Sequence, residues 1–358
     1  MSPINAVSDV AFLTLRDVVI SLLRCFWAII ALPVILALLP LPVLTPLRHL
    51  MRILAGRGIT QSGSSSKPVK SPASSRFAYL RHMTVPHRCF SHFYMVGFAF
   101  NLALLILALS APSHVTAFLN TELRISFSAL SSSSGNSSYN SSSESIATST
   151  PGTTTTPTSS VQALQLLLHR APVHSLLFHL HLARRLWEST TLSVSPTSSH
   201  MHVSAYLLGL CYYIAAPLSF FLAGHPVTPS EPFSTTGADV ISIACHLVGA
   251  AVFAWGNLHQ HRCHAILASL RQGGKKGYFI PQGDWFTHVS CPHYLAEIVI
   301  YLGLLLSLGS RILDSTLLLM FAWVVSNLTL SALETHERYI AKFPDYPQLR
   351  RAILPCIL

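Results

Sequence analysis

The chain has 358 residues, of which 51% are hydrophobic and only 10% charged, with a mean hydropathy of +0.49. A soluble domain carries about 25% charged residues, so this composition cannot clothe a water-facing surface, and its apolar content excludes disorder throughout. Seven scattered cysteines do not make a disulfide scaffold in so long a chain. The net charge of +10 is spread over short loops that form no recognisable nucleic-acid module. The composition is that of an all-α protein whose solvent is the bilayer.

A spanning helix needs roughly 20 mostly apolar residues. Seven stretches qualify or come close: about 25–46, 93–111, 161–182, 201–223, 238–257, 294–309 and 313–333. The third carries His169, Arg170, His174, His179 and His181, polar groups that are costly in a bilayer and are expected to face the bundle interior or a wet cavity. The sixth is short and gains length if its helix starts at Pro292, a favourable first-turn position for proline. No internal repeat of the kind that builds two-halved transporters is visible.

Loop charge sets the orientation. Residues 47–92 carry Arg48, Arg52, Arg57, Lys67, Lys70, Arg76, Arg81 and Arg88 with no Asp or Glu. The loops at 183–200 and 258–292 are basic through Arg184, Arg185, Arg262, Arg271, Lys275 and Lys276, and the tail adds Arg338, Lys342, Arg350 and Arg351. In contrast, 112–160 has only Arg124 and 224–237 has no basic residue. The positive-inside rule therefore places the odd-numbered loops and the C-terminus in the cytosol and the N-terminus outside or in a lumen. Arg16 and Arg24, on the outer flank of the first helix, are outweighed. Asp9 and Arg16 interrupt the start, so no cleavable signal peptide is expected. Cys356-Ile357-Leu358 is one residue short of a prenylation box.

Residues 129–160 form a Ser/Thr-rich insert that is expected to be disordered and non-cytosolic, with glycosylation sequons at Asn136 and Asn140. The chain divides accordingly into an N-terminal segment (1–24), the first two membrane helices with their basic cytosolic loop (25–128), the insert (129–160) and a polar-cluster-bearing membrane region (161–358).

Four polar clusters stand out. His259-Gln260-His261-Arg262-Cys263-His264 ends the fifth span but lacks the separated second ligand pair a closed zinc site needs, so no metal is assigned. Gly277 to Phe286 with Val289-Ser290-Cys291-Pro292-His293-Tyr294 feeds a helix on which His293 and Glu297 are i,i+4 neighbours. Spacing leaves two readings of that pair open, a buried hydrogen bond positioning two helices or a ligand site at the cytosolic mouth. Arg184-Arg185-Leu186-Trp187-Glu188 reads either as a snorkelling basic anchor or as part of a site. Glu334, His336, Glu337, Arg338, Tyr339, Lys342 and Arg350-Arg351 read as a surface helix and tail or as a phosphate clamp. None is a P-loop or a Rossmann glycine fingerprint, so any nucleotide must be bound by membrane helices and their loops.

At these clusters the sequence resembles the steroid 5α-reductase family, most closely its polyprenol reductase branch. The likeness rests on Val85-Pro86-His87-Arg88 with Phe90-Ser91-His92-Phe93-Tyr94, on Arg184-Arg185-Leu186-Trp187-Glu188, and on His259-Gln260 with Cys263-His264. It continues through Gly283-Asp284-Trp285-Phe286, Val289 to Glu297, His336 with Tyr339, Asp345-Tyr346-Pro347 and Arg350-Arg351-Ala352. The resemblance implies a bundle of about seven transmembrane helices in the endoplasmic reticulum, taking NADPH from the cytosol and reducing a carbon–carbon double bond. It places Gln260, His264, Arg271, Tyr278, His293, Glu297, His336 and Arg350 at the cofactor. Two positions depart from the family pattern: His293 stands where Asn is usual, and Phe279 where an Arg commonly precedes Ile-Pro.

Chemistry narrows the substrate. Hydride adds poorly to an isolated alkene, whereas conjugation to a carbonyl moves the developing charge onto oxygen, where donors can stabilise it. This favours polyprenal over polyprenol. Hydride is then expected at the β carbon of the α-isoprene unit and a proton at the α carbon. Glu188 and Tyr339 are the candidates to orient or protonate, with Arg185 supporting Glu188. The expected partners are a long isoprenoid lipid and the membrane, and the product would feed dolichol-dependent protein glycosylation. The rival readings are a 3-oxo-4-ene steroid reductase, a membrane lipid methyltransferase, and a non-catalytic scaffold or transporter.

Overall fold

The computed structural model describes residues 13–54, 83–110, 112–123, 173–192, 200–224, 237–272, 279–309 and 312–355. Its helices are α1 Leu15–Leu38, α2 Thr45–Leu54, α3 Ser91–Ser110, α4 Pro112–Leu119, α5 Val173–Thr191, α6 Val203–Gly224, α7 Gly237–Gln272, α8 Pro292–Leu306 and α9 Ser315–Lys342. Among the described residues, four short strands accompany them: β1 Leu13–Thr14, β2 Thr84–Pro86, β3 Glu122–Leu123 and β4 His200–His202. Among the described residues, five helical segments are long and apolar enough to cross a membrane, and α8 is a shorter apolar helix. The chain is a multi-pass, all-α membrane protein. Of the expected third span, 161–172 lie outside the described residues, as does the insert 129–160 with its sequons; α5 carries the remainder.

The first span starts earlier than expected. Helix α1 begins at Leu15, not near 25, so the boundary drawn at 24/25 falls inside it. The reason is local: Thr14 and Asp17 form a reciprocal capping box, with Asp17 N donating to Thr14 Oγ1 at 3.2 Å and Thr14 N to Asp17 Oδ2 at 3.1 Å. The basic residues that ran against the charge-derived orientation find partners. Arg16 donates to the Leu222 carbonyl at 2.9 Å near the end of α6, and Arg24 to Thr316 Oγ1 at 3.3 Å. The helix ends before Pro40 and Pro42, and α2 follows as a separate amphipathic helix. Arg48 of α2 donates to the carbonyls of Ala37 (2.9 Å) and Leu39 (2.7 Å), satisfying acceptors that the end of α1 leaves open.

The sixth helix does start at Pro292. Helices α7 and α9 run past their expected spans, to Gln272 and Lys342, and so carry their polar clusters as continuous helix. The strand pairs tie loops at opposite ends of the bundle. β1 pairs with β3, joining the N-terminal segment to the stretch after α4, while β2 pairs with β4, joining the segments ahead of α3 and α6. This matches the alternation read from loop charge.

The core is built from Trp27, Phe178, Phe220, Ile300, Leu304, Leu317 and Met320, all fully buried, with Trp27 Nε1 donating to Ser219 Oγ at 3.1 Å. α7 lies closely along α8, and small residues set that approach. A Cβ on Gly303 would run into the backbone of Phe253 and Gly249, and one on Gly249 into the backbone of Ser307 and Gly303. Backbone atoms cannot swing aside as side chains do. Gly303→Val is therefore expected to cost about 1–3 kcal/mol, measured as a lower melting temperature of the detergent-purified protein; an unchanged melt would contradict the close approach.

Candidate active site

One face of α5 carries His181, Arg184, Arg185 and Glu188, spaced i, i+3, i+4, i+7. Glu188 is 1% exposed, a carboxylate whose burial is tolerable only because it is surrounded by donors. Arg184 Nη1 donates to it at 2.5 Å and Arg185 Nη1 at 2.6 Å. From α7, His261 Nδ1 and His264 Nδ1 each lie 2.8 Å from its oxygens. Arg185 is the branch point. It meets Glu188 and the His264 ring nitrogen (2.8 Å) with Nη1, and donates through Nη2 to the Tyr94 hydroxyl of α3 at 2.6 Å.

A second carboxylate, Glu297 of α8, joins the same network. Gln260 of α7 donates to Glu297 while its amide oxygen accepts from Arg184 Nη2, and His181 Nε2 lies 3.4 Å from Glu297. Asn257 Oδ1 accepts from Arg184 Nε at 2.9 Å and lies 3.2 Å from His181 Nδ1. Of the polar residues of the third span, His174 and His181 are buried and turned inward, His174 bonding to the Phe220 carbonyl at 2.9 Å, while His179 packs on Phe98 and His169 and Arg170 lie outside the described residues.

This network borders a cavity of about 470 Å³. Its polar end is made by Tyr94, Arg185, Gln260, His264, His293 and Glu297, and its other walls include Ile29, Ile30, Pro33 and Val34 of α1, Leu54 of α2 and Leu328 of α9. One end can hold a polar head and the remainder a hydrocarbon.

Beside the cavity, the C-terminal tail clips onto the α7–α8 loop. Arg351 N donates to the His288 carbonyl (3.1 Å), and Ser290 N to the Arg351 carbonyl (2.7 Å). Ser290 Oγ lies 2.7 Å from His336 Nδ1 and 2.6 Å from the Tyr346 hydroxyl. Tyr346 stacks on Tyr339 at 5.4 Å, and the Arg350 guanidinium lies 5.4 Å over the Tyr346 ring while donating to the Pro281 carbonyl at 3.1 Å. In the loop itself, Gly283 (φ 92°) allows a sharp turn that sets Trp285 against His259, rings 4.3 Å apart, with His259 Nδ1 2.8 Å from Asp284 Oδ1. Burial pushes the neighbouring Cys291 thiol up to about 12, so it is no nucleophile at neutral pH.

The expected site residues therefore fall into four places, with one more outside the described residues. Arg185, Gln260, His264, His293 and Glu297 line one cavity. Glu188 lies behind Arg185 and does not line it. His336, Arg350 and Tyr339 belong to the adjoining tail cluster, so Tyr339 is not brought to the cavity. Arg271 is exposed at the end of α7, and Tyr278 lies outside the described residues. Arg184 and His181 stand out in the sequence as polar residues of the third span and its end but carry no assigned role there, although the i, i+3, i+4, i+7 spacing on α5 puts them on one face with Arg185 and Glu188. Asn257 carries no such local signal.

A family model described as 3-oxo-5-alpha-steroid 4-dehydrogenase matches residues 220–358, which include α7, α8, α9 and the tail. Polyprenal reductase 1 of Arabidopsis thaliana is 34% identical over 357 residues, covering 92% of this chain and 94% of its own length. Polyprenal reductase 1 of Oryza sativa subsp. indica is 32% identical, over 94% of this chain and 97% of its own. Polyprenal reductase of Rattus norvegicus is 32% identical, over 94% of this chain and 96% of its own. With similarity at that level along nearly its whole length, the chain belongs to the steroid 5α-reductase family, in the branch of the polyprenal reductases.

Proposed function

We propose that this protein is a polyprenal reductase of the endoplasmic reticulum membrane, an NADPH-dependent oxidoreductase that saturates the α-isoprene double bond of polyprenal on the way to dolichol and protein glycosylation. The observation that carries the reading is the cavity with a polar, cation-bearing end and an apolar remainder, in a chain similar to polyprenal reductases along almost its whole length. An isoprenoid needs only its aldehyde and first units at the polar end; the rest of the tail belongs with the aliphatic side chains of α1 and the lipid beyond.

The residues present fit a nicotinamide dinucleotide. His293 and Glu297 offer hydrogen-bonding groups at the cavity wall, suited to a carboxamide, with Gln260 holding the Glu297 carboxylate in place. Arg350, 3% exposed, keeps its Nε without a hydrogen-bond partner, a buried donor that calls for a ligand. His264 at the cavity and His336 beside Arg350 complete the set, with Arg271 and Tyr278 on the segment leading into the loop. Bound there, NADPH supplies the hydride for the β carbon of the enal. Arg185 gives the polar end its positive charge, where the enal oxygen gains electron density. Glu188 acts as a positioning residue, fixing the guanidinium of Arg185 and the ring of His264 from behind.

The test is NADPH consumption by the detergent-purified protein offered polyprenal, polyprenol and a 3-oxo-4-ene steroid in parallel. Selective turnover of polyprenal is expected. Preference for the steroid would move the substrate, and silence with all three, together with no NADPH binding, would overturn the reductase reading.

A further inference from the structure

The segment Phe90-Ser91-His92-Phe93-Tyr94 carries part of the family resemblance, yet nothing so far gives it a task. Its structure is heavily specified. The β2–β4 pair and the 3-10 turn His87–Phe90 lead into α3, so Tyr94 falls in the first turn of that helix. Its ring is 3% exposed, packed edge-on against Phe90 (5.5 Å) and Tyr213 (5.3 Å), with the Arg185 guanidinium carbon 4.9 Å from the ring centre. Tyr94 nevertheless lines the cavity, and its oxygen accepts from Arg185 Nη2 at 2.6 Å. The Tyr213 side chain also hydrogen-bonds this oxygen; with both neighbours donating to its two lone pairs, the phenol keeps its hydrogen for an acceptor in the cavity.

Four neighbouring polar groups are already engaged or carry the wrong charge to meet an oxygen that gains negative charge. Glu297 is a carboxylate and accepts from Gln260. Gln260 is spent between Glu297 and Arg184. The Tyr212 hydroxyl donates to Tyr301, and the His264 Nδ1 is shared by Glu188 and Arg185. A phenol backed by a guanidinium, itself anchored by a buried carboxylate, has the right sign and the right proton.

We infer that Tyr94 is the catalytic residue that hydrogen-bonds the aldehyde oxygen of the substrate and transfers a proton to it, with Arg185 holding the phenol in place. The inference rests on the polyprenal reductase reading. As an electron pair arrives with hydride at the β carbon, the alkene pair shifts to form a double bond between the α and carbonyl carbons. The carbonyl pair moves to oxygen, which takes the Tyr94 proton and becomes an enol. A solvent proton then adds to the α carbon, the carbonyl re-forms, and the enol proton returns to the Tyr94 phenolate. The sum is one hydride and one proton added across the alkene, with the hydride drawn from NADPH.

The experiment compares wild type with Tyr94→Phe, which removes one oxygen and keeps the ring packing. Three readouts are taken: single-turnover rate with polyprenal, NADPH affinity by fluorescence titration, and the carbonyl stretch of polyprenal bound with NADP⁺ by difference Raman spectroscopy. Expected are a rate lower by about 10²–10³-fold, unchanged NADPH affinity, and loss of the carbonyl red shift seen in wild type. A rate within about threefold of wild type, or a red shift that survives the substitution, would overturn the role of Tyr94 while leaving the reductase reading intact. If Tyr94→Phe loses NADPH binding in parallel with rate, Tyr94 is structural and the inference is equally overturned. Failure of the wild type itself to reduce polyprenal would instead remove the reading on which the inference stands.

Discussion

Glu188→Gln is expected to lower the stability of the protein by about 3–5 kcal/mol, the scale of breaking a buried ion pair, and to reduce kcat/KM by 100-fold or more. The carboxylate at position 188 accepts from Arg184 and Arg185 while two α7 histidines lie within hydrogen-bond distance, and it is 1% exposed. An amide of the same shape has one oxygen where two are needed, and it points N–H donors at groups that already donate. Two guanidiniums then lose their neutralising charge in a buried site. The kinetic loss follows because Arg185, which spans Glu188 and Tyr94, no longer has a fixed position. Chemical or thermal unfolding in detergent, paired with steady-state kinetics, checks both parts. A variant with native stability and native turnover would mean that Glu188 is incidental to the site.

The second large effect is expected at Glu297, and it is of a different kind. Glu297→Gln is predicted to weaken NADPH binding by about 10–100-fold, since a hydrogen bond to a charged group is worth about 1.5–3 kcal/mol. Glu297 faces the cavity, accepts from Gln260 and lies 3.4 Å from His181 Nε2. Unlike Glu188, it has cavity on one side, so the substitution should be felt by a ligand more than by the fold. Titration of NADPH into the variant, followed by energy transfer from tryptophan, gives the affinity directly. Unaltered affinity would remove Glu297 from the cofactor site.

The contrast between these carboxylates shows what the sequence could convey. His293 and Glu297 were recognisable as i,i+4 neighbours in an apolar helix, and both do line the cavity. Glu188 was recognisable as an unusual carboxylate, but its inward burial behind Arg185 depends on α7 bringing His261 and His264 across from another helix. No local pattern encodes that contact. Tyrosines posed the harder problem. Tyr339 and Tyr94 are both near the ends of long helices in motif-bearing segments, and only the packing reveals that Tyr339 stacks under the tail while Tyr94 faces the cavity.

The membrane spans were legible from hydropathy because the bilayer imposes length and apolarity on each helix. The start of the first was not, since Arg16, Asp17 and Arg24 look like a polar leader until a capping box and two distant acceptors absorb them. The amphipathic α2 was hidden for a related reason. Its residues fall almost wholly in the stretch 47–92 that reads as a basic loop, where Arg48 and Arg52 mask the helical spacing of Leu47, Leu50, Met51 and Leu54.

Entry of the NADPH hydride into the conjugated alkene of polyprenal can be followed with isotope. The purified protein is given polyprenal and NADPH deuterated at the nicotinamide C4 position, using each C4 stereoisomer in turn, and the product is examined by mass spectrometry and deuterium NMR. One of the two stereoisomers is expected to transfer a single deuterium to the β carbon of the α-isoprene unit, with a solvent-derived hydrogen at the α carbon. Deuterium at the carbonyl carbon, giving the allylic alcohol with its alkene intact, or no transfer from either stereoisomer, would contradict that entry.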